Sequence, residues 1–141
     1  MKSSARYVFD TNVLVSALLF EQSVPCQAFR AALGRGRILL SLETLHELND
    51  VLARERLSRY IILEERERFL AALIREGIIV ETRETVRACR DSKDDKFLEL
   101  ALSGGAACVI SGDEDLLMLS PFRGVPIMRP TQFLTSLSAS E

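Results

Sequence analysis

The fold of this chain is decided by the stretch Tyr7–Val15, with the sequence YVFDTNVLV. Its first part is a short apolar run that ends at Asp10, and its last part begins an apolar pattern with helical spacing. A buried strand that passes directly into a helix is typical of parallel α/β sheets, whose ligands bind at the carboxyl ends of the strands. The stretch therefore predicts that Asp10 lies at the ligand-binding edge of such a sheet.

Segments of strand type alternate with segments of helix type along the whole chain. Because strands separated by helices form βαβ units, we predict a mainly parallel sheet in a three-layer α/β/α sandwich. No linker, repeat or low-complexity tract interrupts residues 1–141, which we expect to form one domain with residues 138–141 frayed. The predicted strands cover residues 6–10, 37–41, 78–80, 107–111 and 125–128, and the predicted helices cover residues 12–20, 25–32, 42–54, 64–76, 95–103 and 130–137.

The composition is that of an ordinary globular domain, with 48% hydrophobic and 27% charged residues among 141. The formal net charge of −2 excludes a protein that binds nucleic acid through a broad basic surface. Any polyanionic substrate would need local cations, such as a bound metal ion with nearby arginines and lysines.

Cys26, Cys89 and Cys108 are an odd number of cysteines without paired spacing, so neither a disulfide framework nor a zinc site is indicated. A cytoplasmic location follows as the default expectation. The longest apolar runs are too short to cross a bilayer, so we expect no membrane segment.

Three further acidic residues occur where the predicted layout brings them towards Asp10. Glu47 flanks the apolar stripe of a helix, Asp95 begins the helix before the fourth strand, and Asp113 follows that strand. Each residue has an ordinary alternative role as a helix cap, a first-turn charge or a solvated side chain. These roles do not require that all four carboxylates meet, and four carboxylates in one cleft repel each other unless a cation lies among them. Since the ligands are oxygen atoms only, the pattern predicts a site for Mg²⁺ or Mn²⁺.

The acidic residues lie in four blocks of the sequence: Asp10–Leu14, Ser41–Leu48, Asp94–Ala101 and Val109–Asp113. Together these blocks resemble the PIN domain, and most closely the bacterial and archaeal PIN proteins related to the VapC toxins of type II toxin–antitoxin systems. The resemblance covers nearly the whole chain. It implies an α/β/α sandwich and a metal-dependent endoribonuclease that hydrolyses RNA phosphodiester bonds. It also implies a small antitoxin partner and a homodimer.

The resemblance assigns the catalytic and metal-binding positions to Asp10, Glu47, Asp95 and Asp113. Asp94 lies beside Asp95, and we prefer Asp95 because counting back from Asp113 gives the spacing of the family. Both Asp94 and Asp115 remain candidates to share the site.

Polar and basic residues near these positions have supporting roles in the same interpretation. Thr11, Asn12 and Ser111 are expected near the site as polar support. Lys93 and Lys96 flank the Asp95 block and are the candidates for substrate binding, although solvated lysines are common on any surface. Arg54 and Arg56, near Glu47, are of the same kind.

Three other functions fit parts of the sequence less well than a metal-dependent ribonuclease does. Phosphatases with a nucleophilic aspartate after the first strand carry a second aspartate two residues later, where this chain has Asn12. A dinucleotide-binding fold is disfavoured because no glycine-rich turn follows the first strand. The alternative from a different class is a catalytically inactive PIN-like module that binds nucleic acid or protein. The presence of all four acidic residues speaks against it.

Overall fold

The computed structural model describes residues 5–139. Five parallel strands form one sheet in the order β3-β2-β1-β4-β5. The strands are β1 (Ala5–Phe9), β2 (Gly36–Leu40), β3 (Ile78–Ile79), β4 (Cys108–Ile110) and β5 (Ile127–Met128). The helices are α1 (Thr11–Leu19), α2 (Val24–Arg35), α3 (Leu42–Leu52), α4 (Leu63–Glu76), α5 (Asp95–Gly104), α6 (Glu114–Leu117) and α7 (Pro130–Ala139), with 3-10 turns at Glu55–Leu57 and Ser92–Asp94.

The helices cover both faces of the sheet, which confirms the predicted three-layer α/β/α sandwich. Side chains alternate along β1, so Tyr7 and Phe9 are buried on one face and Val8 on the other. Helices α1–α4 and α7 pack on the first face, where the ring of Phe133 meets that of Tyr7 edge to face at 5.2 Å. Helices α5 and α6 pack on the second face.

Most element bounds agree with the sequence-based expectation to within two residues. Helix α7 extends to residue 139, so residues 138 and 139 are helical where fraying was expected, and residues 140–141 lie outside the described part. Helix α6 and both 3-10 turns were not predicted, because elements of three or four residues are too short for a periodic pattern. The longest helix, α4, has 14 residues, and no helix within residues 5–139 combines the length and apolar composition needed to span a bilayer.

The central strands β1 and β4 end next to each other at the carboxyl edge of the sheet. They are hydrogen-bonded neighbours, with Phe9 in register with Ile110. The backbone amide of Asp10 then donates to the carbonyl of Ile110 at 3.0 Å. Residues that follow the two strands, Asp10 and Ser111, therefore lie side by side.

Candidate active site

An acidic cleft of about 200 Å³ opens at this edge of the sheet. It contains four carboxylates that come from different elements. Asp10 follows β1, Glu47 lies on α3, Asp94 ends the 3-10 turn before α5, and Asp113 precedes α6. The residues that line the cleft are Asp10, Thr11, Asn12, Glu47, Val51, Arg54, Asp94, Phe97 and Asp113.

Asp10 is the most deeply buried of the four carboxylates, with 5% of the residue exposed. It is the N-cap of α1, because its Oδ1 accepts a hydrogen bond from the amide of Val13 at 2.8 Å. Its Oδ2 accepts a hydrogen bond from the hydroxyl of Ser111. Burial raises the pKa of Asp10, with a smaller contribution from the charge of Asp113, although the hydrogen-bond donors oppose the shift. Asp10 thus combines the capping role with a carboxylate that forms no ion pair with any cation among residues 5–139.

Asp94 and Asp113 face each other in the cleft. Burial, the charge of Asp113 and a hydrogen bond with Asp113 together raise the pKa of Asp94 to about 6, although Lys96 acts in the opposite direction. The backbone of Asp113 is fixed by a hydrogen bond, because its amide donates to Ser111 Oγ at 3.0 Å. Its Oδ1 accepts from the amide of Asp115 at 2.9 Å. Asp94 therefore takes up a proton at a higher pH than an ordinary aspartate does.

Asp95, the position preferred from the sequence, does not line the cleft. It is 7% exposed, and its Oδ1 accepts hydrogen bonds from the amides of Cys89 at 2.8 Å and Ala88 at 3.1 Å. Burial opposes the ionisation of Asp95, but these amides outweigh burial and hold its pKa below the ordinary value. Consecutive helical residues point about 100° apart, so Asp94 and Asp95 face different surroundings. The structure therefore places Asp94 in the cleft, and Asp95, the position preferred from the sequence, against the preceding loop.

The negative charge of Glu47 is compensated by a lysine of the same chain. Its Oε2 accepts a hydrogen bond from the hydroxyl of Thr11, and its Oε1 lies 3.1 Å from Nζ of Lys96. The lysine ammonium also donates to the carbonyl of Lys93 and lies 5.3 Å from the centre of the Phe97 ring. Glu47 therefore already has a cation beside it, unlike Asp10.

The residues predicted as polar support take different places. Ser111 is fully buried and connects two site carboxylates, since it donates to Asp10 and accepts from the amide of Asp113. Thr11 is buried and lines the cleft, and the exposed Asn12 lines it as well. Asp115 contributes its backbone amide to Asp113, but it does not line the cleft.

A second depression, here called the side groove, continues from the acidic cleft. It has a volume of about 610 Å³ and shares Glu47, Val51 and Arg54 with the cleft. Arg54, which the sequence analysis named as a basic residue near Glu47, thus lines both the cleft and the side groove. Arg56 lines neither depression. The residues of the side groove are Leu42, Glu43, His46, Glu47, Asp50, Val51, Arg54, Lys93 and Lys96.

The cleft fits a hard divalent cation by the chemistry of its donors. As the side chains stand, no three acidic, histidine or cysteine side chains within residues 5–139 converge tightly enough to hold one ion. The carboxylates instead face partners within the protein: Ser111 at Asp10, Asp113 at Asp94, and Lys96 at Glu47. All candidate ligands are oxygen atoms, which Mg²⁺ and Mn²⁺ prefer. A divalent ion bound between Asp94 and Asp113 would relieve the repulsion that contributes to the raised pKa of Asp94.

Known proteins resemble this chain in sequence and in fold. An uncharacterised protein of Methanocaldococcus jannaschii, MJ1680, is 28% identical over 120 residues, which cover 84% of this chain and 77% of that protein. The crystal structure of PAE2754 from Pyrobaculum aerophilum has a TM-score of 0.62 at 16% identity and covers 96% of this chain and 91% of its own.

Two further structural relatives are toxin–antitoxin complexes. VapBC2 from Rickettsia felis, bound to a DNA fragment from its promoter, has a TM-score of 0.59 at 12% identity, covering 86% of this chain and 96% of that chain. VapBC-1 from nontypeable Haemophilus influenzae has a TM-score of 0.58 at 14% identity, covering 89% and 98%. These likenesses concern the fold.

The sequence also matches a family model over most of its length. Residues 6–115 match the model of the PIN domain, and this range contains every residue that lines the acidic cleft. PIN domains are generally nucleases, and they generally use divalent metal ions. The resemblance found in the sequence is thereby confirmed, and the chain belongs to the PIN-domain family.

Proposed function

We propose that this protein is an endoribonuclease that depends on Mg²⁺ or Mn²⁺ and hydrolyses RNA phosphodiester bonds, and that it is the toxin of a toxin–antitoxin pair. The observation that carries the proposal is the convergence of Asp10, Glu47, Asp94 and Asp113 on one cleft at the carboxyl edge of the sheet. Membership of a family of nucleases gives this convergence its chemical meaning.

Three carboxylates would hold the ion, namely Asp10, Asp94 and Asp113, because Glu47 is paired with Lys96. When bound, the ion polarises the scissile phosphate and lowers the pKa of water. The protein keeps the ligands oriented through buried hydrogen bonds, above all those of Ser111 to Asp10 and Asp113. A carboxylate of the cleft would accept the proton of the attacking water.

The RNA strand would approach along the side groove, because that groove opens directly into the acidic cleft. Arg54 lines both depressions, and Lys93 lies further along the groove. In a chain of net charge −2, such local cations are what can hold the phosphates of a polyanion. Lys93 and Arg54 are therefore proposed as substrate-binding residues.

The biological setting is proposed from the structural relatives. Because VapBC2 and VapBC-1 are toxin–antitoxin complexes of similar fold, we propose a small antitoxin protein as the partner. A homodimer and a cytoplasmic location belong to the same proposal. Co-expression with the product of the adjacent reading frame, followed by co-purification, tests the antitoxin.

Cleavage of a labelled RNA in the presence of Mn²⁺, with EDTA as the metal-free reference, tests the activity. Asp10→Asn keeps an N-cap side chain, since Asn caps helices as well as Asp, but it removes a proposed ligand charge. We expect this variant to lose at least about 100-fold in rate. Equal cleavage by both proteins would refute the proposed site.

One alternative function has a distinct outcome in the same experiment. A catalytically inactive binding module would be stabilised against heat by Mn²⁺ and would bind RNA without cutting it. The observation that favours this alternative is that Asp10, Asp94 and Glu47 already face partners within the protein. Metal stabilisation together with intact RNA after long incubation would favour the module over the nuclease.

A further inference from the structure

Lys96 is the one cation of the described residues that forms an ion pair with a carboxylate lining the acidic cleft. Its Nζ lies 3.1 Å from Oε1 of Glu47. The pair is sheltered, with 17% of the lysine side chain and 29% of the glutamate side chain exposed. The other oxygen of Glu47 accepts from Thr11, so both oxygens of this carboxylate have partners.

The lysine is also held in its place by contacts other than the ion pair. Its ammonium donates to the backbone carbonyl of Lys93, and it lies over the ring of Phe97 with 5.3 Å to the ring centre. An exposed lysine loses side-chain entropy when it forms an ion pair, and solvent and salt weaken the attraction within that pair. Here the sheltered surroundings strengthen the attraction, and the additional contacts restrict the side chain to the Glu47 side of the cleft.

The four carboxylates are therefore unequal towards a divalent ion. Asp10 faces only neutral donors, and Asp94 and Asp113 face each other. A divalent ion that reached Glu47 would be repelled by the ammonium of Lys96, which already lies 3.1 Å from one oxygen of this carboxylate. The cleft is thus divided into an open side and a side that the protein itself has neutralised.

We propose that Lys96 acts as a built-in monovalent cation that competes with divalent ions for Glu47 and so limits how many ions the cleft takes. This inference rests on the proposed function in assuming that the cleft binds a divalent ion. In the resting protein, Asp10, Asp94 and Asp113 take one ion, and Glu47 takes part in binding a further ion only after Lys96 has moved away. Because Lys96 also lines the side groove, a phosphate group placed there would draw the ammonium from Glu47.

Isothermal titration with Mn²⁺ tests the proposal on the whole protein, without any activity measurement. The variant is Lys96→Met, because the methionine stem keeps the apolar contact with Phe97. We expect either a second binding event or at least about a tenfold increase in Mn²⁺ affinity, because a competing charge near the ligands is removed. The matched control is Lys93→Met, which removes the same charge from the same groove without touching Glu47, and we expect a change within about twofold.

The double variant Lys96→Met with Glu47→Gln identifies the carboxylate for which lysine competes. We expect the gain caused by Lys96→Met to disappear in it, because the contested ligand is no longer charged. Melting in EDTA reports folding separately, and Lys96→Gln replaces Lys96→Met if that variant does not fold. A role limited to fold stability would change the melting temperature and leave Mn²⁺ binding as it was.

The outcomes separate this inference from the proposed function. If the parent protein binds Mn²⁺ and Lys96→Met binds it with the same stoichiometry and affinity, the role of Lys96 is refuted and the metal site stands. An equal gain in Lys93→Met, or a gain that persists with Glu47→Gln, also refutes it. If only Lys96→Met binds Mn²⁺, the competition is confirmed, but the proposed binding of one ion by the resting protein is refuted. If neither protein binds Mn²⁺, both the inference and the metal-dependent function fail.

Discussion

Two adjacent aspartates should respond in opposite ways to the same small substitution. Asp94→Asn and Asp95→Asn each remove one negative charge from neighbouring positions of the chain. Asp94 faces the carboxylate of Asp113 in the cleft, whereas Asp95 accepts two backbone amides outside it. We therefore expect Asp94→Asn to stabilise the metal-free protein and to weaken metal binding, and Asp95→Asn to destabilise the protein and leave metal binding nearly unchanged.

The magnitude for Asp94 follows from its pKa, which is raised from 3.8 to about 6. The folded state binds more protons than the unfolded state between these pH values, so this group lowers stability as pH rises through that window. Two pKa units correspond to about 3 kcal/mol, but Asp94 is only half-buried and screening reduces the free energy to about 1 kcal/mol. At neutral pH Asp94→Asn should raise the melting temperature by about 3 °C, and near pH 4 the difference should vanish.

The magnitude for Asp95 follows from its hydrogen bonds. An asparagine oxygen can still accept from the amides of Cys89 and Ala88, but the bonds lose the assistance of the charge, which costs about 1 kcal/mol. The low pKa of Asp95 gives the same sign, because the folded state favours the charged form. We expect the melting temperature at neutral pH to fall by about 3 °C.

Differential scanning calorimetry in EDTA at neutral pH and near pH 4 measures both stability changes, and Mn²⁺ titration measures the affinities. The placement of the two aspartates would be refuted if Asp95→Asn abolished Mn²⁺ binding while Asp94→Asn kept it. Destabilisation by Asp94→Asn at neutral pH would refute the repulsion inferred for the Asp94–Asp113 pair.

Three further substitutions test the site, the groove and the fold. Ser111→Ala removes the hydroxyl that orients Asp10, so Mn²⁺ affinity measured by titration should fall by about 10-fold or more, and unchanged affinity would contradict that orienting role. Arg54→Gln should weaken RNA binding measured in a non-cleaving buffer with EDTA and reduce the salt dependence by about one ion, whereas an unaltered salt slope would exclude a phosphate contact. Phe133→Ala should lower the free energy of unfolding by about 3–5 kcal/mol in urea melts, because the buried ring packs against Tyr7; a loss below about 1 kcal/mol would contradict the described packing.

The sequence predicted the sheet and the edge at which the acidic cleft opens, because these depend on regular patterns. Buried strands such as Tyr7–Phe9 have a continuous apolar signal, and the helices between them have apolar positions at helical spacing. Once the strands are parallel, residues that follow them meet at one edge, which placed Asp10 beside Ser111 and Asp113. This part of the site follows from topology alone.

The identity of the cleft carboxylate at the start of α5 did not follow from the sequence. Spacing along the chain counts positions, but the direction of a side chain at a helix start depends on the preceding turn. The 3-10 turn Ser92–Asp94 precedes α5 and directs the side chain of Asp94 into the cleft. The amides of Ala88 and Cys89 donate to the carboxylate of Asp95 and hold it outside the cleft. The sequence around Asp94 and Asp95 contains no signal for this turn or for these hydrogen bonds.

The pairing of Glu47 with Lys96 was hidden for a similar reason. Glu47 and Lys96 are far apart in the chain, so no local sequence pattern relates them. Their long side chains can also adopt many rotamers, and the sequence does not say which of these rotamers the fold selects. Sequence spacing placed both near the site and assigned the lysine to substrate. Only the packing of α3 beside α5 brings the ammonium to the carboxylate.

The most direct measurement is anomalous diffraction from crystals soaked in Mn²⁺. We predict a strong anomalous peak in the acidic cleft within bonding distance of Asp10 and of the Asp94–Asp113 pair, and none beside Asp95. A cleft without a peak at millimolar Mn²⁺, or a peak among other residues, would contradict the metal site on which the nuclease function depends.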